Sequence, residues 1–228
     1  MMEHKIYAVA IDGPGGAGKS SIARTIAREM GILYVDTGAI YRSVGYHVFL
    51  KGKDPANAAE VIGLLPETKI EMAYGEDGLQ RMYLNGEDVT EQIRLPEMSM
   101  YASRVSSIPE VRDFLMEMQR SMARTNSVVM DGRDIGTVVL PDAQVKIFLT
   151  ADLEERAKRR FLELQEKGIP ADFEQLKEEM RQRDYNDSNR ATAPLKAADD
   201  AIVVDTTGLN FAESCRRIKE IIEERVGK

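Results

Sequence analysis

The sequence predicts an α/β domain built on a doubly wound, five-stranded parallel sheet, carrying a small antiparallel β insert and a helical lid. Three observations lead there. Apolar runs at residues 6–11, 32–35, 127–130, 145–150 and 201–205 lack polar alternation, as strands covered on both faces do. Between them lie segments with apolar residues at helical spacing, the rhythm of strand–helix–strand crossovers. The first run also leads directly into Gly13-Pro14-Gly15-Gly16-Ala17-Gly18-Lys19-Ser20, a complete G-x-x-x-x-G-K-S loop.

That loop follows a predicted strand and precedes a predicted helix, in which Ile22, Ala23, Ile26, Ala27 and Met30 recur and Gly31 supplies the stop. A backbone that turns its N–H groups inward around phosphate needs dihedrals that a Cβ obstructs, which explains the four glycines. Lys19 is placed to reach the β and γ phosphates of a nucleotide triphosphate and Ser20 to bind Mg²⁺, with the helix N-terminus aimed at the same anion. Ser21 offers a second hydroxyl, suited to a phosphate contact. Ligands are expected at the carboxyl ends of the strands, where this loop, Asp36-Thr37-Gly38 and Asp131-Gly132-Arg133-Asp134 emerge.

From about residue 67 the rhythm changes. Ile70, Met72 and Tyr74 alternate with polar residues, Gly75-Glu76-Asp77-Gly78 reads as a turn, Met82 and Leu84 alternate again, and Asn85-Gly86 marks a second tight turn. This predicts an antiparallel insert, about residues 66–100, beside the acceptor. Further on, Leu153, Ala157, Phe161 and Leu164 share one helical face, leaving Arg156, Arg159 and Arg160 on others. A second helix opens with Asp172 and Gln175 at capping-box spacing, buries Phe173, Leu176 and Met180, and carries Arg181 and Arg183. Joined at Gly168-Ile169-Pro170, the two helices are expected to fold over a triphosphate as a lid, about residues 152–192. Within that span residues 186–190 read as a turn-like return segment, with Pro194 barring further helix.

Composition bounds the rest. A chain of 228 residues with 43% hydrophobic content can bury a sizeable core, so one domain over residues 1–228 is expected. No apolar run approaches the ~20 residues of a membrane span, and Glu3 and His4 ahead of the first strand lack a signal-peptide layout. The expectation is therefore a cytoplasmic protein without a membrane partner. A net charge of −7 argues against a nucleic-acid partner. Cys215 reads as a buried apolar residue on a face shared with Phe211, Ile218 and Ile222, while His4 and His47 read as surface or helix residues rather than catalysts. Without a heptad seam, a monomer is the simpler expectation.

The motifs Asp36-Thr37-Gly38-Ala39-Ile40-Tyr41-Arg42, Asn85-Gly86-Glu87-Asp88-Val89-Thr90, Asp131-Gly132-Arg133-Asp134-Ile135-Gly136-Thr137 and Arg183-Asp184-Tyr185-Asn186-Asp187-Ser188-Asn189-Arg190 narrow the field. With them, the chain resembles the bacterial cytidylate kinase family over essentially its whole length. The resemblance implies the nucleoside monophosphate kinase fold with a mobile lid, and Mg²⁺-dependent transfer of the γ-phosphoryl group of ATP to CMP or dCMP. It also implies residue roles. Residues 13–21 would bind ATP; Ser103, Arg112 and Asp134 would read cytosine; Arg42, Arg133 and Arg190 would hold the CMP phosphate. Thr37, Arg183 and Asp187 would face the sugar, with Tyr41 completing the CMP set. Lys19, Arg133, Arg156, Arg159 and Arg190 would form the catalytic group.

The assignments suit the chemistry. Cytosine presents a donor at N4 and acceptors at N3 and O2, so its pocket needs a carboxylate facing one and a donor fork facing the others; uracil's O4 would meet the same carboxylate lone pair to lone pair. Related nucleotide kinases often carry Gly-Lys-Gly-Thr, with the hydroxyl one position later, but the loop's own geometry favours Ser20 over Ser21 as the metal ligand. Two other readings remain: a kinase for another small acceptor on the same fold, and a nucleotide-dependent switch. The switch needs a guanine-reading Asn-Lys-x-Asp, which the sequence lacks.

Overall fold

The computed structural model describes residues 6–227, so His4 lies outside it. In chain order the strands are β1 (Ala8–Asp12), β2 (Leu33–Asp36), β3 (Ile70–Tyr74), β4 (Gln80–Leu84), β5 (Glu87–Asp88), β6 (Val128–Gly132), β7 (Val145–Thr150) and β8 (Ile202–Asp205). The helices are α1 (Lys19–Met30), α2 (Thr37–Leu50), α3 (Ala58–Leu64), α4 (Met98–Val105), α5 (Pro109–Thr125), α6 (Leu153–Glu166), α7 (Phe173–Asn189) and α8 (Phe211–Val226). They form two compact units, one of residues up to Tyr34 and from Met122 onward, the other Val35–Ser121.

The five strands the sequence predicts form one parallel sheet of order β2-β6-β1-β7-β8, with ends shifted by a residue or two, and β1, β6, β7 and β8 lie wholly in the first unit. Central β1 and β6 are buried at every position, which is why their sequences are apolar without alternation up to the carboxyl ends, where Asp12 and Asp131 stand. Ile22, Ala23 and Ile26 of α1 and Ile218 and Ile222 of α8 pack with Val9, Ile11, Ile147 and Leu149 in one core cluster. Register matters for function: Ile11 lies opposite Asp131 and Asp12 opposite Gly132, so the β1 and β6 ends deliver their loops side by side.

In the same unit α6 and α7 form a helical pair. Gly168, at φ 67°, makes the reversal a side chain would strain. Phe161 meets Phe173 edge to face at 5.7 Å. Asp172 caps α7 by accepting from Gln175 N at 2.8 Å. Three expectations need correction. Residues 186–189 are the last turn of α7 rather than a turn-like return, because Asp187 is held in helical register by ion pairs described below and Pro194 stands beyond the helix end at Asn189. Phe173, Leu176 and Met180 are only half-buried, since a two-helix pair covers one side of each helix. Cys215 is half-buried against the core, while Phe211, at the first turn of α8, is 52% exposed.

The second unit packs α2 against α4. Gly45 permits the approach, because a Cβ there would stand 2.9 Å from Tyr101 Cβ. Its antiparallel sheet, β3-β4-β5, is the predicted insert, with Met72 opposite Met82 and Ile70 opposite Leu84. Asn85 and Gly86 both take positive φ (51° and 88°), as a type I′ hairpin turn demands. Gln80 of β4 grips the backbone of Asp36: its Oε1 accepts from Asp36 N at 2.9 Å and its Nε2 donates to Asp36 O at 3.3 Å. His47 is a helix residue but not a surface one. It is 3% exposed, with Nδ1 2.7 Å from Thr68 Oγ1.

Candidate active site

The donor loop runs from buried Gly13 to Gly18. Gly13, at φ 146°, crosses so close to β7 that a Cβ would stand 1.9 Å from Leu149 O, and this explains why no other residue serves there. Gly18 enters α1 in the left-handed region with no side-chain cap, leaving the leading N–H groups of the helix to an anion. Lys19 is 5% exposed and its Nζ donates to Pro14 O at 2.7 Å. Burial first, then the neighbouring Arg133 and Arg183, hold its pKa well below the usual lysine value. A phosphate at the loop reverses that penalty, since it supplies the missing negative charge.

Ser20 Oγ donates to Asp131 Oδ2 at 2.8 Å, while Ser21 is exposed. Tyr34 donates to the other oxygen, Asp131 Oδ1, at 2.9 Å. A hydroxyl and a carboxylate at the loop's end form a hard-oxygen pair of the kind Mg²⁺ takes while keeping waters and phosphate oxygens for its other positions, so these residues fit that ion.

Arginines gather over the loop. Arg156, 6% exposed, donates from Nη1 to Gly15 O at 2.9 Å and from Nε to Ala151 O at 2.8 Å, and pairs with Asp184 at 2.7 Å. A Cβ on Gly15 would lie 3.6 Å from both Arg133 Nη2 and Arg183 Nη1, so these two guanidinium groups flank the same point. Arg133 Nε donates to Asp187 Oδ2 at 2.9 Å, and Arg183 Nε lies 4.0 Å from the same oxygen. Burial works against the Arg133 charge, but Asp187 outweighs it and holds the guanidinium pKa above its usual value. Arg190 donates to Ala193 O at 2.7 Å and stands 3.6 Å from Asp134. Arg159 is turned elsewhere: it donates to Thr206 O at 2.8 Å and pairs with Glu155.

Thus Lys19, Ser20, Arg133, Arg156, Arg183, Asp187 and the Arg190–Asp134 pair belong to the first unit. So do Arg159 and the rest of the loop from Gly13 to Ser21, while Thr37, Tyr41, Arg42, Ser103 and Arg112 belong to the second. There Thr37 and Tyr41 lie one turn apart on α2, and buried Arg112 stacks over the Tyr41 ring at 5.7 Å. Arg112 also donates to Ser106 O at 3.4 Å, and Ser106 Oγ to Ser103 O at 2.9 Å, so Ser103 and Arg112 share a partner. Asp36 caps α2 through Ala39 N at 2.8 Å and pairs with Arg42 at 3.1 Å and Arg94 at 3.0 Å. Burial raises its carboxyl, yet Arg42 and Arg94 outweigh that and hold it below the usual value.

Sequence reasoning missed Asp12, Asp131, Asp184 and Tyr34 as contributors. Asp131 and Asp184 sit inside quoted motifs, and a carboxylate ending a buried strand was itself a signal for Asp12 and Asp131. Tyr34 had none. Burial pushes the Asp12 carboxyl up to about 7, against the pull of two backbone N–H donors, Gly136 and Ile135.

Comparison with known proteins adds the family. A family model described as cytidylate kinase matches residues 9–224. A cytidylate kinase of Caldicellulosiruptor bescii is 51% identical over 213 residues, covering 93% of this chain and 94% of that protein. One of Oceanobacillus iheyensis is 51% identical over 212 residues, covering 93% and 91%. Among solved structures, an uncharacterized protein from Eubacterium ventriosum superposes with TM-score 0.50 at 14% identity, covering 97% of this chain and 100% of that one, a likeness of fold alone.

Proposed function

Because this chain belongs to the cytidylate kinase family, we propose that it transfers the γ-phosphoryl group of ATP to CMP or dCMP, giving ADP and CDP or dCDP. The observation that carries the mechanism is the convergence on one loop of Lys19, the Ser20–Asp131 pair and the guanidinium groups of Arg133, Arg156 and Arg183.

The loop N–H groups and Lys19 hold the β and γ phosphates, displacing the bonds that Lys19 and Arg156 make to Pro14 O and Gly15 O. Ser20 and Asp131 would hold Mg²⁺, which would supply neutralisation of phosphate charge. Arg42, Arg133 and Arg190 hold the acceptor phosphate in line, while Thr37, Tyr41, Arg183 and Asp187 set its sugar. Residues 152–192 act as the lid, and Arg156, with Arg159 once it leaves Thr206, meets charge developing on the transferred group. A general base is not required, because phosphoryl transfer depends chiefly on alignment and charge neutralisation. Asp134 accepts from cytosine N4, and Ser103 and Arg112 address N3 and O2. Uracil places O4 against the Asp134 carboxylate, a mismatch that a polar pocket rejects strongly.

A coupled assay of ADP release across CMP, dCMP, UMP, AMP and GMP tests this. Turnover confined to CMP and dCMP is the expected result. Turnover of AMP without CMP overturns the acceptor assignment.

A further inference from the structure

Asp12 closes β1, and none of the roles above uses it. A carboxylate in a buried strand is unfavourable unless its oxygens are hydrogen-bonded. Here they are: Oδ1 accepts from Ile135 N and Oδ2 from Gly136 N, each at 2.7 Å, and the residue is 4% exposed. Those donors are the first two N–H groups of a five-residue π-helical turn, Ile135–Val139. The leading N–H groups of a helical turn have no partner within it, and the preceding residue's side chain ordinarily accepts from them. That preceding residue is Asp134, whose side chain makes no such bond. Asp12 caps the turn instead, from a neighbouring strand.

The backbone on the carboxyl side of Asp134 is held twice over. Its carbonyl accepts from Val138 N at 2.9 Å and Val139 N at 3.2 Å, and the two amides after it are held by Asp12. Two features allow the contact. Asp12 stands opposite Gly132 in the β1–β6 pairing, two residues before Asp134. Gly136 leaves room, since a Cβ there would lie 3.4 Å from Asp12 Oδ2 and 3.2 Å from Lys146 Cδ.

We propose that Asp12 is a positioning residue for acceptor selection: by capping the turn from β1 it aims the Asp134 carboxylate at the base, and it ties that turn to the strand end from which the donor loop springs. This rests on the assignment of Asp134 as the reader of cytosine N4. Capping by Asp134 itself would engage the carboxylate that reading requires, so moving the cap to another strand leaves both tasks compatible.

The test compares Asp12→Asn, Gly136→Ala and Asp134→Asn in kcat/KM for CMP, dCMP and UMP, together with the affinity for a non-hydrolysable ATP analogue. Asn preserves the shape of Asp12 but offers one acceptor to two donors, so its amide confronts the second N–H. Asp12→Asn is expected to lower the CMP-to-UMP ratio of kcat/KM by about tenfold or more, through a raised KM for CMP, with analogue affinity unchanged. Gly136→Ala sets a Cβ 3.2 Å from Lys146 Cδ and in ordinary contact with Asp12 Oδ2 at 3.4 Å, so it is expected to move the ratio in the same direction by less; a folded Asp12→Ala, which removes both acceptors, decides the matter if Asp12→Asn does not fold. An unchanged ratio in a folded variant, with all substrates slowed alike while Asp134→Asn has lost the preference, overturns the role of Asp12 alone. An Asp134→Asn enzyme that keeps its preference for CMP overturns the base-reading assignment, and this inference with it.

Discussion

Tyr34 donates its hydroxyl hydrogen bond to Asp131 Oδ1 at 2.9 Å, so the carboxylate that accepts from Ser20 is itself oriented by an aromatic residue at the end of the first unit's opening segment. Tyr34→Phe deletes that donor and leaves a buried oxygen short of a partner, a loss of about 1–2 kcal/mol in stability. The metal reading adds a sharper expectation. The Mg²⁺ concentration giving half-maximal rate rises several-fold while kcat at saturating Mg²⁺ is largely retained. A Mg²⁺ titration of initial rate checks this, and wild-type dependence in Tyr34→Phe rules out orientation of Asp131 by Tyr34.

The Arg156–Asp184 pair joins α6 to α7 beside the donor loop. Asp184→Asn keeps the volume and removes the charge, so Arg156 retains its bonds to Gly15 O and Ala151 O but loses its ion partner. Stability is expected to fall by about 1–3 kcal/mol, and KM for ATP to rise more than KM for CMP, because the disturbed guanidinium lies on the donor side. Urea unfolding and two-substrate kinetics read the two effects separately.

Asp36 provides a pH prediction. Its carboxyl is held below the ordinary value, so the folded protein binds its proton less readily than the unfolded chain. The stabilisation is fully present above the unfolded-state value near ~4 and is lost as pH falls through the folded-state value. Asp36→Asn is expected to be less stable than wild type at neutral pH, with the difference shrinking as pH drops below about 4. Urea denaturation of both proteins across that range checks it; a difference that grows toward acid contradicts the ion pairs with Arg42 and Arg94.

Gly45 opposes two effects of known sign. In the middle of α2, replacing glycine by alanine ordinarily stabilises by about 1 kcal/mol. Here the new Cβ would stand 2.9 Å from Tyr101 Cβ and 3.2 Å from its backbone carbon, neither of which is the end of a flexible chain. The clash is expected to win, so that Gly45→Ala brings a net destabilisation of about 1–2 kcal/mol in thermal or urea unfolding. A Gly45→Ala protein more stable than wild type would mean that α2 and α4 slide apart without cost.

Much was legible from the chain alone, and the reasons are local. Strand, loop and helix around Gly13 to Ser20 follow from period, glycine chemistry and the order of elements. The β3–β4 hairpin follows from period-two alternation and the Asn85-Gly86 turn. The motifs Asp36 to Arg42 and Asp131 to Thr137 identified the family. Where local signals misled, tertiary contacts prevailed: residues 186–189 look like a turn, but Arg133, 54 positions earlier, fastens Asp187 in a helix.

What the sequence determined by itself was therefore the fold class, the donor loop and the family, because period, turn chemistry and contiguous motifs are written within a few residues of one another. Which carboxylate serves which donor was decided only by the tertiary structure. Asp131 is shared between Ser20 and Tyr34, Asp12 caps a turn more than a hundred residues away, and Asp36 faces two arginines. Hydrogen bonds and ion pairs are set by distance in space, and parallel strand register brings to within about 3 Å groups that no sequence pattern links.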